Sequence, residues 1–187
     1  MIDEPLTARA GATLRLRTLT PDDAPEFARH VAADHAHLRE HLSWGATTHV
    51  VDGARDWLLR YHEHRDGRLL AAGAFAGEQL VGGSLLIGHE PDGMAVEVGC
   101  WVTTPVEGRG VAGAASAAMI AHARRALAAE RVVWRCTTVN SRSRALAERL
   151  GFVYEGTQRS ALVLHGERYD LDVLSLVGAE LDPFVTG

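Results

Sequence analysis

The segment Val106-Glu107-Gly108-Arg109-Gly110-Val111-Ala112-Gly113 is suited to hold an anion. It follows a strand-like run and opens an alanine-rich one, so its last residues offer backbone N–H groups that no intrahelical carbonyl satisfies. The positive end of the helix dipole adds to them. Glycines let the main chain approach a phosphate closely, because no Cβ intervenes. The string also satisfies the GxGxxG spacing of a dinucleotide site, with Glu130 about 20 residues further on. That motif belongs in a parallel βαβ unit, whereas three hairpin-linked strands precede this loop. Glu130 stands before the next strand rather than at its end, and too few strands follow to complete a doubly wound sheet. A phosphate-bearing ligand is the expectation, with a nicotinamide dinucleotide as the lesser alternative.

Other residues carry chemistry by type and position. Glu97 is the lone carboxylate in an apolar strand, and a one-residue change of register would turn it from one face of the sheet to the other. Asn140 precedes a helical run and suits an N-cap. Trp44 lies in a loop after the early helices, either as a wall of a groove or as a core residue. His37, Glu40 and His41 spell HLREH, which matches the inverted zinc-protease pattern HxxEH. Nothing flanking it supports a protease, and no metal is expected. The pairs His35/His37 and His62/His64 are two apart, cannot share a helix face, and are expected in solvent.

The elements that must position these residues follow from periodicity. Thr13 to Leu19 alternates as a strand. Thr20, Pro21, Asp22 and Asp23 then start a helical region that runs with interruptions through Leu42. A second amphipathic segment spans Val51 to Arg65. Leu69 to Ala76, Gln79 to His89 and Met94 to Thr104 read as three strands, joined by Gly77-Glu78 and by the turn Glu90-Pro91-Asp92-Gly93. Gly110 to Ala129 is helical, Arg131 to Thr138 is a β-branched strand, and a helix runs from Asn140 to Leu150 with Gly151 at its C-terminal end. Phe152 to Leu164 and Tyr169 to Val177 form a last hairpin, and Leu181 to Gly187 reads as a loose tail. The class is α+β: a mixed, mostly antiparallel sheet of about seven strands with helices on both faces. Residues 1–187 make a single domain, with its core at about 13–177 between short tails.

Bulk properties agree with this. The chain has 187 residues, 47% apolar and 23% charged, with a formal net charge of -5. That charge argues against a nucleic-acid partner. No run of about 18 apolar residues suggests a membrane span, and the start has no apolar signal core. Cys100 and Cys136 form no CxxC pair, so neither a disulfide framework nor a zinc ribbon is indicated. A cytoplasmic protein with reduced thiols is expected.

The run Glu97-Val98-Gly99-Cys100-Trp101-Val102, then EGRGVAG, then Asn140-x-x-Ser143 with Leu150-Gly151-Phe152 and Glu155-Gly156, resembles the GNAT acetyltransferases. More narrowly, it resembles the RimJ/RimL branch, which acetylates protein N-termini. The likeness covers Thr13 to Val177 and implies the GNAT fold with acetyl-CoA as cosubstrate. Where the family places Gln or Arg in the glycine loop, this chain has Glu107. A carboxylate beside a pyrophosphate is repulsive, so Glu107 is expected to point to solvent, with Arg109 supplying positive charge.

The resemblance implies further roles. The strand ending near Val102 and the strand Val132 to Thr138 should splay, with pantetheine between them like an added strand. The pyrophosphate should rest on the loop Arg109 to Gly113, flanked by Glu107 and Gly108, so that Gly110, Val111 and Ala112 touch it. Asn140 should reach the pantetheine arm, and Ser143 should lie close to the sulfur. A strand N–H near Trp101 or Val102 would steady the carbonyl oxygen during attack. Glu97 is the candidate general base through water, and it lies with Trp44 in the substrate groove between the early helices and the last hairpin. Ser143 is the candidate acid, with Tyr154 as a rival hydroxyl. The acceptor is an amine, either a protein N-terminus or a small antibiotic or polyamine. A non-catalytic acyl-CoA-binding module is the other class. The final strands could also pair across a homodimer.

Overall fold

The computed structural model describes residues 1–8, 11, 13–64, 69–88 and 95–185. The expected turn at Glu90 to Gly93, the strand ends at His89 and Met94, the helix end at Arg65 and the last two residues of the tail lie outside them. Eight strands form one sheet: β1 (Asp3–Thr7), β2 (Thr13–Thr18), β3 (Leu69–Ala76), β4 (Gln79–Gly88), β5 (Ala95–Val102), β6 (Arg131–Thr137), β7 (Val153–Leu164) and β8 (Glu167–Val177). Their order is β1-β2-β3-β4-β5-β6-β8-β7. Every neighbouring pair is antiparallel except β5 and β6.

Five α-helices accompany the sheet: α1 (Ala24–Ala33), α2 (His35–His41), α3 (Val51–His62), α4 (Val111–Leu127) and α5 (Ser141–Arg149). Asp23 closes the start of α1, its Oδ2 accepting from the Thr20 amide at 2.8 Å. Asn140 caps α5 as expected, its Oδ1 accepting from the Ser143 amide at 3.0 Å. Gly151 ends α5 at φ +92°, a left-handed conformation that costs glycine little.

The sheet divides the core into two. Residues 96, 98, 132 and 134 face α4 and α5, packing with Ala115, Met119, Ile120 and Ala147. Trp101, Leu85 and Ala71 face the other way, against Phe27, Val31, Trp57 and Leu58 of α1 and α3. Successive strand residues alternate between these layers, so the face of each β5 side chain is fixed by its parity.

The short N-terminal tail and most of the C-terminal one, expected to be loose, are part of the fold, and the sheet has eight strands among the described residues rather than about seven. β1 pairs with β2 from Asp3↔Arg17 to Thr7↔Thr13 and buries Leu6. Pro5 is tolerated because β1 is an edge strand. At the other end, Gly178–Phe184 forms a 3-10 turn that fully buries Leu181. Burial of one such side chain is worth about 1.5–3 kcal/mol, enough to hold the turn in place.

Candidate active site

Among the described residues, β5 and β6 pair at three positions, Ala95↔Arg131, Val96↔Val132 and Glu97↔Val133. Beyond them the strands part, β5 staying bonded to β4 as far as Gly82↔Val102 and β6 to β8 as far as Thr137↔Leu171. A cleft of about 2090 Å³ fills the gap. The glycine loop and the first turn of α5 line one end of it, and Trp44, Tyr61 and Glu97 line the other.

The glycine loop has the conformation its residues suggest. Gly108 and Gly110 have φ of +73° and +86°, and Gly110 is the N-cap of α4. The Val111, Ala112 and Gly113 amides belong to the first helical turn, where N–H groups lack intrahelical acceptors. All three residues line the cleft.

Glu107 departs from expectation. Its carboxylate faces the cleft rather than solvent, meeting Arg142 Nη1 at 2.8 Å and His37 Nε2 at 3.2 Å. The Arg142 guanidinium, from α5, offsets its charge, and the His37 ring, from α2, lies beside it. Arg142 lines the cleft here, whereas Arg109 does not. His37, one of the HxxEH histidines, spends its ring on this contact. Nor is His35 solvated: its ring lies 4.3 Å from that of His49.

Glu97 and Ser143 lie on opposite faces of the sheet, where the strands part. Glu97 shares the parity of Trp101 and turns toward α3. Its Oε2 meets Arg135 Nη2 at 2.7 Å and Nε at 2.8 Å. Ser143 sits over the α5 face, and its Oγ accepts from Trp134 Nε1 at 3.0 Å. Both residues line the cleft, as do Asn140, Trp101 and Val102. Tyr154 is elsewhere: it is exposed on β7, its hydroxyl is 2.7 Å from Thr157 Oγ1, and Arg144 covers its ring at 4.5 Å.

The Glu97 end has an aromatic wall. Trp44 is partly buried, lines the cleft and crosses Trp101 edge-on at 5.6 Å. Trp57 lies against Tyr61 at 4.5 Å. Burial pushes the Tyr61 hydroxyl up to about 12, so it stays protonated as a donor. Above, α2 is pinned at three points: Asp34 Oδ2 accepts from the Thr104 amide at 2.6 Å, His37 meets Glu107, and the Arg39 carbonyl lies 2.6 Å from His165 Nε2 at the β7–β8 tip. The helix thereby roofs the cleft. Burial raises both thiols, Cys100 to about 11. Neither is prepared as a thiolate nucleophile.

The sequence did not single out Arg142, Arg135, Tyr61 or Trp134 as site residues, and His37 stood out only within HLREH. Arg142, His37 and Arg135 act through partners 35, 70 and 38 residues away in the chain. For Arg135 alone a clue exists, since it shares the parity of Glu97 on the adjoining strand.

The family model described as "Acetyltransferase (GNAT) domain" matches residues 13–153. "Putative ribosomal N-acetyltransferase YdaF" of Bacillus subtilis (strain 168) is 28% identical over 179 residues, 93% of this chain and 96% of that protein. Mycobacterium smegmatis RimJ in complex with CoA-disulfide superposes with a TM-score of 0.83 at 26% identity, covering 96% of this chain and 88% of that one. RimL, a ribosomal L7/L12 alpha-N-protein acetyltransferase solved in complex with coenzyme A, also gives 0.83, at 22% identity over 94% and 99% of the two chains.

Proposed function

Because the chain belongs to the GNAT acetyltransferase family, we propose that acetyl-CoA lies in the split between β5 and β6 and that the acceptor amine is a protein N-terminus. The observation that carries this is one continuous cleft with an anion-binding loop at one end and a carboxylate at the other. The names printed for YdaF and RimL support the acceptor class, and the coenzyme A complexes of RimL and RimJ support the cosubstrate. The roof formed by α2 also favours a chain end, which can enter beneath it, over a side chain on a folded surface.

In this reading the first-turn amides of α4 and the Arg142 guanidinium hold the pyrophosphate. Pantetheine pairs with the free flanks of β5 and β6 and passes Asn140. The amine enters on the Glu97 face. An N-terminal ammonium has a pKa near 8 and loses its proton readily, through a water held by Glu97. The nitrogen attacks the thioester carbon, and a β5 N–H near Trp101 or Val102 stabilises the oxyanion. The C–S bond breaks, and the sulfur takes a proton from Ser143.

The test is a thermal-shift titration with acetyl-CoA, coenzyme A and NAD, followed by mass spectrometry of N-terminal peptides and small amines incubated with acetyl-CoA. Stabilisation by both coenzyme A species and not by NAD, with a mass gain confined to peptide α-amines, is the expected result. No response to coenzyme A would remove the cofactor reading. Turnover of small amines alone would replace the acceptor.

A further inference from the structure

Trp134 lies on β6 beneath α5, with its ring edge-on to Phe152 at 5.6 Å. It is 2% exposed, so its indole N–H is out of reach of solvent and needs a protein acceptor. That acceptor is Ser143 Oγ at 3.0 Å. The Ser143 main chain is fixed separately, through its amide and Asn140 Oδ1. A serine hydroxyl carries one proton and two acceptor sites. With the indole N–H occupying one acceptor site, the hydroxyl proton is turned away from Trp134. A donor onto the oxygen also polarises the O–H bond and strengthens it as a donor in turn.

We infer that Trp134 is a positioning residue for acetyl transfer: its indole N–H locks the Ser143 rotamer, aims the hydroxyl proton at the departing sulfur and makes that proton easier to give up. This rests on the reading of Ser143 as the acid. As the amine nitrogen bonds to the acetyl carbon, the C–S electron pair goes to sulfur. The sulfur takes the Ser143 proton, and the serine oxygen regains one from solvent. The amine proton leaves on the Glu97 side. No other reactant is needed.

The experiment is a double-mutant cycle on kcat and KM, with acetyl-CoA and the acceptor found above, for the unmodified protein, W134F, S143A and W134F/S143A. Phenylalanine keeps a ring against Phe152 but has no N–H. The expected result is a kcat for W134F lowered roughly tenfold with KM for acetyl-CoA nearly unchanged, and no further loss when W134F is added to S143A. A merely structural tryptophan would move KM, or would multiply its loss with that of S143A. Full kcat in W134F beside an impaired S143A overturns this inference and leaves the acid reading standing. Full kcat in S143A overturns the acid reading, and this inference with it. If W134F fails to fold, benzothienylalanine at position 134, which replaces the N–H by sulfur in a ring of the same shape, gives the same comparison with the same outcomes.

Discussion

Glu107 and Arg142 form an ion pair of 2.8 Å where the glycine loop faces the start of α5. The pair places a carboxylate beside the proposed pyrophosphate seat and occupies the nearest guanidinium. Glu107→Gln should therefore tighten acetyl-CoA binding, by about 1 kcal/mol or some fivefold in Kd, the range of an exposed ion pair. Arg142→Ala should weaken it, with a shallower dependence on salt. Calorimetric titration at two ionic strengths measures both. Equal affinity in all three proteins would show that neither side chain meets the phosphates.

Glu97→Gln keeps the shape of the side chain and removes its charge. If Glu97 holds the proton-accepting water, kcat should fall about a hundredfold, within the span of general acid–base catalysis, while the Kd for acetyl-CoA stays the same. An unchanged kcat would take Glu97 out of the mechanism and leave it as the partner of Arg135.

Gly83 is the position on β4 least able to accept a side chain near the site. A Cβ there would lie 2.2 Å from the Ala72 carbonyl oxygen and 2.3 Å from Trp101 Cη2. Gly83→Ala should cost about 1–3 kcal/mol through overpacking and displace the Trp101 wall. Denaturant unfolding reads the first effect. A raised KM for the acceptor, with that for acetyl-CoA unchanged, reads the second.

His30 is buried beneath β4, with Nδ1 2.9 Å from the Leu80 carbonyl oxygen. Burial lowers its pKa below the ordinary value of 6.5. The folded state thus keeps the ring neutral while the unfolded chain takes up a proton, so stability should decline as pH falls below about 6.5. His122 shifts in the same direction for the same reason. Glu155 responds in a separate window: Arg131 and Ser175 hold it down to about 2, so its contribution is complete above the ordinary carboxylate value of 4.5 and is lost progressively as pH falls from there to about 2. Thermal unfolding from pH 8 to 5 should show the decline, and His30→Gln should flatten it. An unchanged slope in that variant would assign the effect to His122.

Much of the fold was legible because local rules agreed with one another. Alternation placed β2, apolar and β-branched runs between turn signals placed β3 to β8, and Asn140 and Gly151 bounded α5 as their chemistry requires. β1 escaped notice because Asp3–Thr7 has little apolar content of its own, and its pairing with β2 decides its state. The glycine loop was legible by type and spacing and Ser143 only through the family resemblance, whereas the direction of Glu107 was not. Self-repulsion from a phosphate argued for solvent, but Arg142 and His37, 35 and 70 residues away in the chain, turned the carboxylate inward. Tyr154 failed as a candidate because β7 is an edge strand and its residue there faces outward.

Among the described residues three pairs join β5 to β6, so the eight strands amount to two slabs, β1–β5 and β6–β8, meeting along a short seam. Every other ladder in the sheet is longer than this one. Deformation should therefore concentrate at the seam, where a small angular opening separates the Glu97 side from the Ser143 side and leaves the remaining ladders intact. The spacing of the two proposed proton-transfer groups is in this way a mechanical variable, set by how far the slabs part.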